Sequence, residues 1–120
     1  MRYILFILFS VALISCTQEL PTDKTVEQVP EHLLSEQVFT NMYYDAQLTE
    51  SAVRLEIGKG SNSKEISRYL YDQLFEKYEI TEADFKENIK YYASHPKKMQ
   101  EIQTEVVNRL TQKEAALTNQ

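Results

Sequence analysis

Asn41 and Asp45 stand four residues apart in a segment whose apolar residues recur at helical spacing. At about 100° per residue, both fall near the middle of the stripe made by Leu34, Val38, Met42, Leu48, Ala52 and Val53. Residues i and i+4 are neighbours on a helix surface. A buried carboxylate is costly unless it is paired or hydrogen-bonded. Either tyrosine hydroxyls or a cap satisfy the pair inside a bundle, or the pair forms a polar pocket for a ligand head group. Tyr91, Tyr92 or His95 would line such a pocket. The other reactive types are sparse. His32 and His95 are the only histidines, and they lie on distant segments. Without a His-x-x-x-His pair or acidic residues at ligand spacing, the sequence argues against a metal site. The serines sit at caps and in a loop, never in a nucleophile elbow. Gly58-Lys59-Gly60-Ser61 lacks the spacing of a phosphate loop and reads as a turn. No catalytic or cofactor motif is present, so neither an enzyme nor a bound cofactor is expected.

Beyond Tyr3 the tyrosines are Tyr43, Tyr44, Tyr69, Tyr71, Tyr78, Tyr91 and Tyr92. Tyr43, Tyr71 and Tyr91 fall at or beyond the edges of their stripes. Half-exposed tyrosines suit boundary packing in a small core and also contact surfaces, since each joins a large apolar body to a polar tip. They are not interleaved with basic residues as on single-stranded nucleic acid. The formal net charge of −5 also argues against phosphate backbones as partners. Lys77, Lys86, Lys97 and Lys98 read as solvated helix faces.

Cys16 is the only cysteine, and it closes the run Leu13-Ile14-Ser15-Cys16. Met1-Arg2-Tyr3 and an apolar stretch over residues 4–14 precede it. A charged start, a short apolar segment and a small residue before the cut make a secretory signal peptide. The apolar stretch is far shorter than the roughly 20 residues of a spanning helix. Its ending resembles the lipobox of bacterial lipoproteins. That resemblance implies cleavage after Ser15, a diacylglyceryl group on the Cys16 thiol and an acylated amino terminus, with palmitate among the chains. Stable anchoring takes two lipid signals, and three acyl chains exceed that. With its thiol used for lipid, Cys16 is not available for disulfides, metals or nucleophilic catalysis.

The elements that must position these residues read as helices. Residues 1–15 are the expected leader and 16–29 a tether carrying Cys16. At roughly 5–6 Å × √n, a flexible tether of this length reaches about 20 Å. Residues 30–113 are the expected helical domain and 114–120 a frayed tail. Helix one is expected from Glu31 or Ser35 to Ile57. Gly58 and Gly60 mark the strongest internal break. Asn62 with Glu65 caps helix two, whose stripe is Ile66, Tyr69, Leu70, Leu74, Phe75 and Tyr78. Thr81 with Asp84 opens helix three, with Phe85, Ile89 and Tyr92 as its stripe. His95-Pro96 ends it, because the residue before proline disfavours the α region, and Pro96 then starts helix four. Met99, Ile102, Val106 and Leu110 form the buried side of helix four. The fold class is all-α, a small bundle of about four helices behind a cleaved leader.

The positions Tyr71, Phe75, Lys77, Tyr78, Ile80, Thr81, Phe85, Tyr91, Tyr92, His95 and Pro96 together are similar to a family of small Bacteroidota lipoproteins, domain of unknown function 4296. The resemblance covers about residues 30–110 and is strongest after Tyr69. Glu79 stands where that family usually has glycine, and Asn41 where aspartate is common. The residue before Ile80 ends helix two in a conformation that glycine tolerates best, so Glu79 is expected to cost about 1 kcal/mol there. The family has no established activity to carry over.

These readings give an expected location and role. The protein is held in the cell envelope by its acyl chains. Thr17 follows the lipidated cysteine in place of a retention aspartate, so by analogy with lipoprotein sorting the outer membrane facing the periplasm comes first. Glu19 alone is not an acidic export cluster, so the cell surface comes second. The expected role is a non-catalytic interaction module for an envelope protein. The alternative is a small-ligand or lipid sensor built on Asn41 and Asp45.

Overall fold

A computed structural model of the protein describes residues 29–119. The leader, Cys16 and the tether up to residue 28 lie outside the described residues. Four helices are present: α1 Glu36–Gly58, α2 Ser63–Tyr78, α3 Glu82–Ala93 and α4 Pro96–Thr118. No strand occurs among the described residues, so the all-α bundle stands. None of these helices is long and apolar enough to cross a membrane.

The first three helices begin where side-chain chemistry supplies orphan amide groups with acceptors. The Ser35 side chain accepts from the Val38 amide, which sets the start of α1 six residues after Pro30. Asn62 accepts from the amides of Lys64 and Glu65 at 3.0 and 3.2 Å. Thr81 and Asp84 form a reciprocal capping box at the start of α3. Pro96 occupies the first turn of α4, where its missing amide hydrogen costs nothing.

The ends of α1 and α2 use one geometry with two different residues. After α1, the Ser61 amide donates to the Glu56 carbonyl and the Gly60 amide to the Ile57 carbonyl. After α2, the Ile80 amide donates to Phe75 and the Glu79 amide to Glu76. Both are Schellman turns, which place one residue at positive φ. Gly60 takes φ +95 in the first. Glu79 takes φ 52 and ψ 41 in the second, which is the strained position expected from the sequence.

α1 packs against both α2 and α4, and α3 packs against α4. The core is Phe39, Met42, Tyr92, Ile102 and Val106, with Leu34, Ile80, Phe85, Ile89, Met99 and Leu110 against it. Two helix faces differ from the expected ones. α1 buries Phe39, Met42, Ala46 and Val53, whereas Val38 is exposed. Apolar residues surround most of α1 because α2 covers one side and α4 another, so a single stripe put its centre on the wrong face. In α2 only Leu74 is fully buried, and Tyr69 is 62% exposed rather than part of the inner stripe. The tail differs as well. α4 continues to Thr118, past the expected end at residue 113. Residues 112–117 contain no glycine or proline and are mostly strong helix formers, and the Thr118 hydroxyl donates back to the Glu114 carbonyl at 3.0 Å.

Candidate functional site

Asp45 sits where α1 meets the C-terminal turn of α2. Its Oδ2 accepts from Lys77 Nζ and from the Tyr78 hydroxyl, each at 2.6 Å. Partial burial pushes the Asp45 carboxyl up. The bonds from Lys77 and Tyr78, with the charges of Lys77 and Arg109, outweigh that and hold it below its ordinary value. Burial, and then the Asp45 carboxylate, push the Tyr78 phenol well up, so Tyr78 stays a donor throughout the physiological range. Lys77 is therefore not merely a solvated face. Its stem stays exposed while its ammonium bridges α2 to α1.

Asn41 does not face the core. It is exposed, because the rotation of α1 that turns Phe39 and Met42 inward carries Asn41 to the side bordering α4. There Arg109 Nη1 donates to Asn41 Oδ1 at 2.9 Å. The same guanidinium lies over the Tyr44 ring, 4.2 Å from its centroid. One cation thus pins α4 to α1 through a hydrogen bond and a ring face.

Tyr91, Tyr92 and His95 form a second group around α3 and the start of α4. Tyr92 is buried and stacks on Phe39 with centroids 4.0 Å apart. Its hydroxyl donates to the Leu34 carbonyl at 2.7 Å. Tyr91 meets Tyr92 edge-on at 5.3 Å and lies against the His95 ring at 4.5 Å. His95 Nδ1 is 2.8 Å from the Tyr91 carbonyl oxygen. The five residues expected to line one pocket are thus divided. Asn41 and Asp45 are engaged by Arg109, Lys77 and Tyr78, while Tyr91, Tyr92 and His95 pack around Phe39 and the α3–α4 corner.

The most fully built polar feature is one that the pattern of apolar residues did not expose. Residues 32–34 lie along α3, against Asp84, Asn88 and Tyr92, which stand at i, i+4 and i+8. Asn88 is fully buried. Its Nδ2 donates to the carbonyls of His32 and Asp84, and its Oδ1 accepts from the Leu34 amide, all at 2.8 Å. The side-chain amide so replaces the pairing that a neighbouring strand would give this segment. His32 Nδ1 lies 3.0 Å from Asp84 Oδ1. The Thr81 hydroxyl and amide, with His32, hold the Asp84 carboxyl at about 2. Asp84 in turn raises the His32 imidazole. A sequence signal existed: Asn88 lies three residues after Phe85 and four before Tyr92, on the inner side of α3.

Among the described residues, no buried side-chain nitrogen or oxygen lacks a hydrogen-bond partner. No cluster of three His, Cys, Asp or Glu residues placed to hold a metal ion occurs among them. The polar groups described above satisfy one another, and each links two elements of the bundle.

Comparison with known proteins adds one match. No curated protein and no solved structure matches the chain. The model of one family, described as domain of unknown function (DUF4296), matches residues 30–116. That span takes in the 32–34 segment, all four helix starts and the Asp45 and Asn88 contacts. The chain belongs to this family.

Proposed function

We propose that this protein is a membrane-tethered, non-catalytic interaction module of the bacterial cell envelope. The observation that carries the reading is Leu13-Ile14-Ser15-Cys16 after a short apolar segment with a charged start. Acyl chains on Cys16 would hold the chain at a bilayer, and a tether would leave the helical domain free to meet a protein partner. The outer membrane facing the periplasm is the first location and the cell surface the second. Nucleic acid is not among the proposed partners, in keeping with a net charge of −5.

Two structural features support an interaction role over a ligand pocket. Asp45 and Asn41 already bind side chains of α2 and α4. Large apolar side chains are exposed at Leu55, Tyr69, Val107 and Leu117. Metabolic labelling with an alkyne fatty acid tests the anchor. Label is expected on the wild-type chain and absent from Cys16→Ser. Equal labelling of both, or none on either, would contradict it.

A further inference from the structure

We propose that residues 30–34 are a strap that peels from α3 on its own, lengthening the tether while the four helices stay packed. The strap is neither helix nor strand. It is held by hydrogen bonds from three α3 side chains, Asp84, Asn88 and Tyr92. Glu31, His32 and Leu33 are exposed, and Leu34 is the strap side chain that packs against the core. A segment with so few buried apolar contacts opens locally at a lower free energy than the whole domain. While it is closed, the strap and α3 move as one body.

The contacts are graded along the strap. The His32–Asp84 pair comes first from the tether side, with the His32 side chain 68% exposed. Asn88, fully buried, and Tyr92 hold the inner end at Leu34. Tension arriving at residue 29 therefore meets the bonds one after another, the exposed pair before the buried ones. Opening leaves no buried polar group without a partner, because water enters where the strap lay. Asn88 keeps its bond to the Asp84 carbonyl, and Asp84 keeps its capping box with Thr81. Tyr92 keeps its stack on Phe39. The Ser35 cap belongs to α1 and stays with it.

Release adds residues 30–34 to the tether, about 17 Å of extended chain at about 3.4 Å per residue. That is about a third of the extended length of residues 16–29 on the same scale. For a chain held at a bilayer this is a reserve of reach: a partner that draws the domain away from the membrane pulls out the strap before it loads the helices. That use rests on the anchored reading, whereas the separate opening does not. Labelling of Cys16 tests the first, and exchange at Leu34 tests the second.

The experiment is native-state hydrogen exchange on the full chain in mild detergent, as denaturant is raised. It compares the Leu34 amide, which donates to Asn88, with the amides of Ile102 and Val106. The Leu34 amide should be protected, but about a hundredfold or more less than those two, and its exchange should hardly respond to denaturant. Leu74 is buried in α2, outside the core cluster that Leu34 joins. Leu74→Ala should therefore speed exchange at Ile102 and Val106 by about tenfold or more and leave Leu34 unchanged. Val53→Ala is a milder change at another buried site and serves if Leu74→Ala does not fold. The proposal is overturned if Leu34 shares the denaturant slope of Val106, or if the core variant speeds both by the same factor. An unprotected Leu34 amide in the wild type would also overturn it, since the strap would then not close.

Discussion

At the scale of single residues, two side chains show how local chemistry sets the bundle's stability. Glu79 occupies a left-handed position that glycine fills in the matching turn after α1. An L-residue pays about 1–2 kcal/mol there, and glycine's extra freedom in the unfolded chain returns part of it. Glu79→Gly is expected to stabilise the domain by about 1 kcal/mol, a rise of about 4–8 °C in Tm for a domain this size. A lower Tm would mean that the helix end gains more from the Glu79 side chain than it loses in strain. Arg109 is the second case. It combines a ring contact, worth about 0.5–1 kcal/mol at an exposed site, with a hydrogen bond to Asn41 of about 1 kcal/mol. Arg109→Ala should cost about 1–2 kcal/mol in denaturant unfolding. Arg109→Lys should recover less than half of that, because an ammonium lacks the planar fork. Full recovery by lysine would reduce the contact to charge alone.

At the scale of elements, the segment before α1 and helix α3 behave as one unit. Asn88→Ala removes the partners of the Leu34 amide and the His32 carbonyl together, and orphaned buried groups cost about 1–3 kcal/mol each. The Leu34 amide should then exchange with solvent far faster than in the wild type, which hydrogen exchange can read at that residue. Unchanged protection would show that another group holds the segment. The His32–Asp84 pair adds a pH dependence whose sign follows from its shifts. Asp84 falls from an ordinary 3.8 to about 2, so its contribution is present above about pH 4 and is lost as pH drops toward 2. His32 is raised above 6.5, so its contribution is present below pH 6.5 and is lost as pH rises through the higher folded value. Stability from this pair should therefore be greatest between about pH 4 and 6.5. His32→Ala should remove the alkaline limb and keep most of the acid limb, since Thr81 still binds Asp84. An unaltered alkaline limb would assign it to another group.

At the scale of the whole molecule, the helices were legible because their signals are local. Ser35, Asn62, Thr81 and Pro96 mark starts within three residues of the amides they serve or replace, and the strained turn at Glu79 follows from the same short-range rules. The faces were less legible, because they depend on which helix lies where. Phe39 is the centre of the core only because Tyr92 stacks on it from 53 positions along the chain. Asn41 faces away from the core, and its partner Arg109 is 68 positions away. Asn88 and the 32–34 segment could not be matched from spacing, since a short irregular segment without periodicity has no face to predict. Asp45 was expected either to be satisfied by tyrosine hydroxyls or a cap or to open a pocket lined by Tyr91, Tyr92 or His95, and its partners are Tyr78 and Lys77 of α2.

The proposed role has a lipid-held helical domain meeting an envelope protein. Crosslinking in intact cells, followed by purification of the chain and mass spectrometry, tests it most directly, with Cys16→Ala retaining the leader as the comparison. One dominant envelope protein is expected on the wild-type chain, lost or strongly reduced with Cys16→Ala. Recovery of no partner from the wild type, or of the same partner in equal amount from Cys16→Ala, would contradict it.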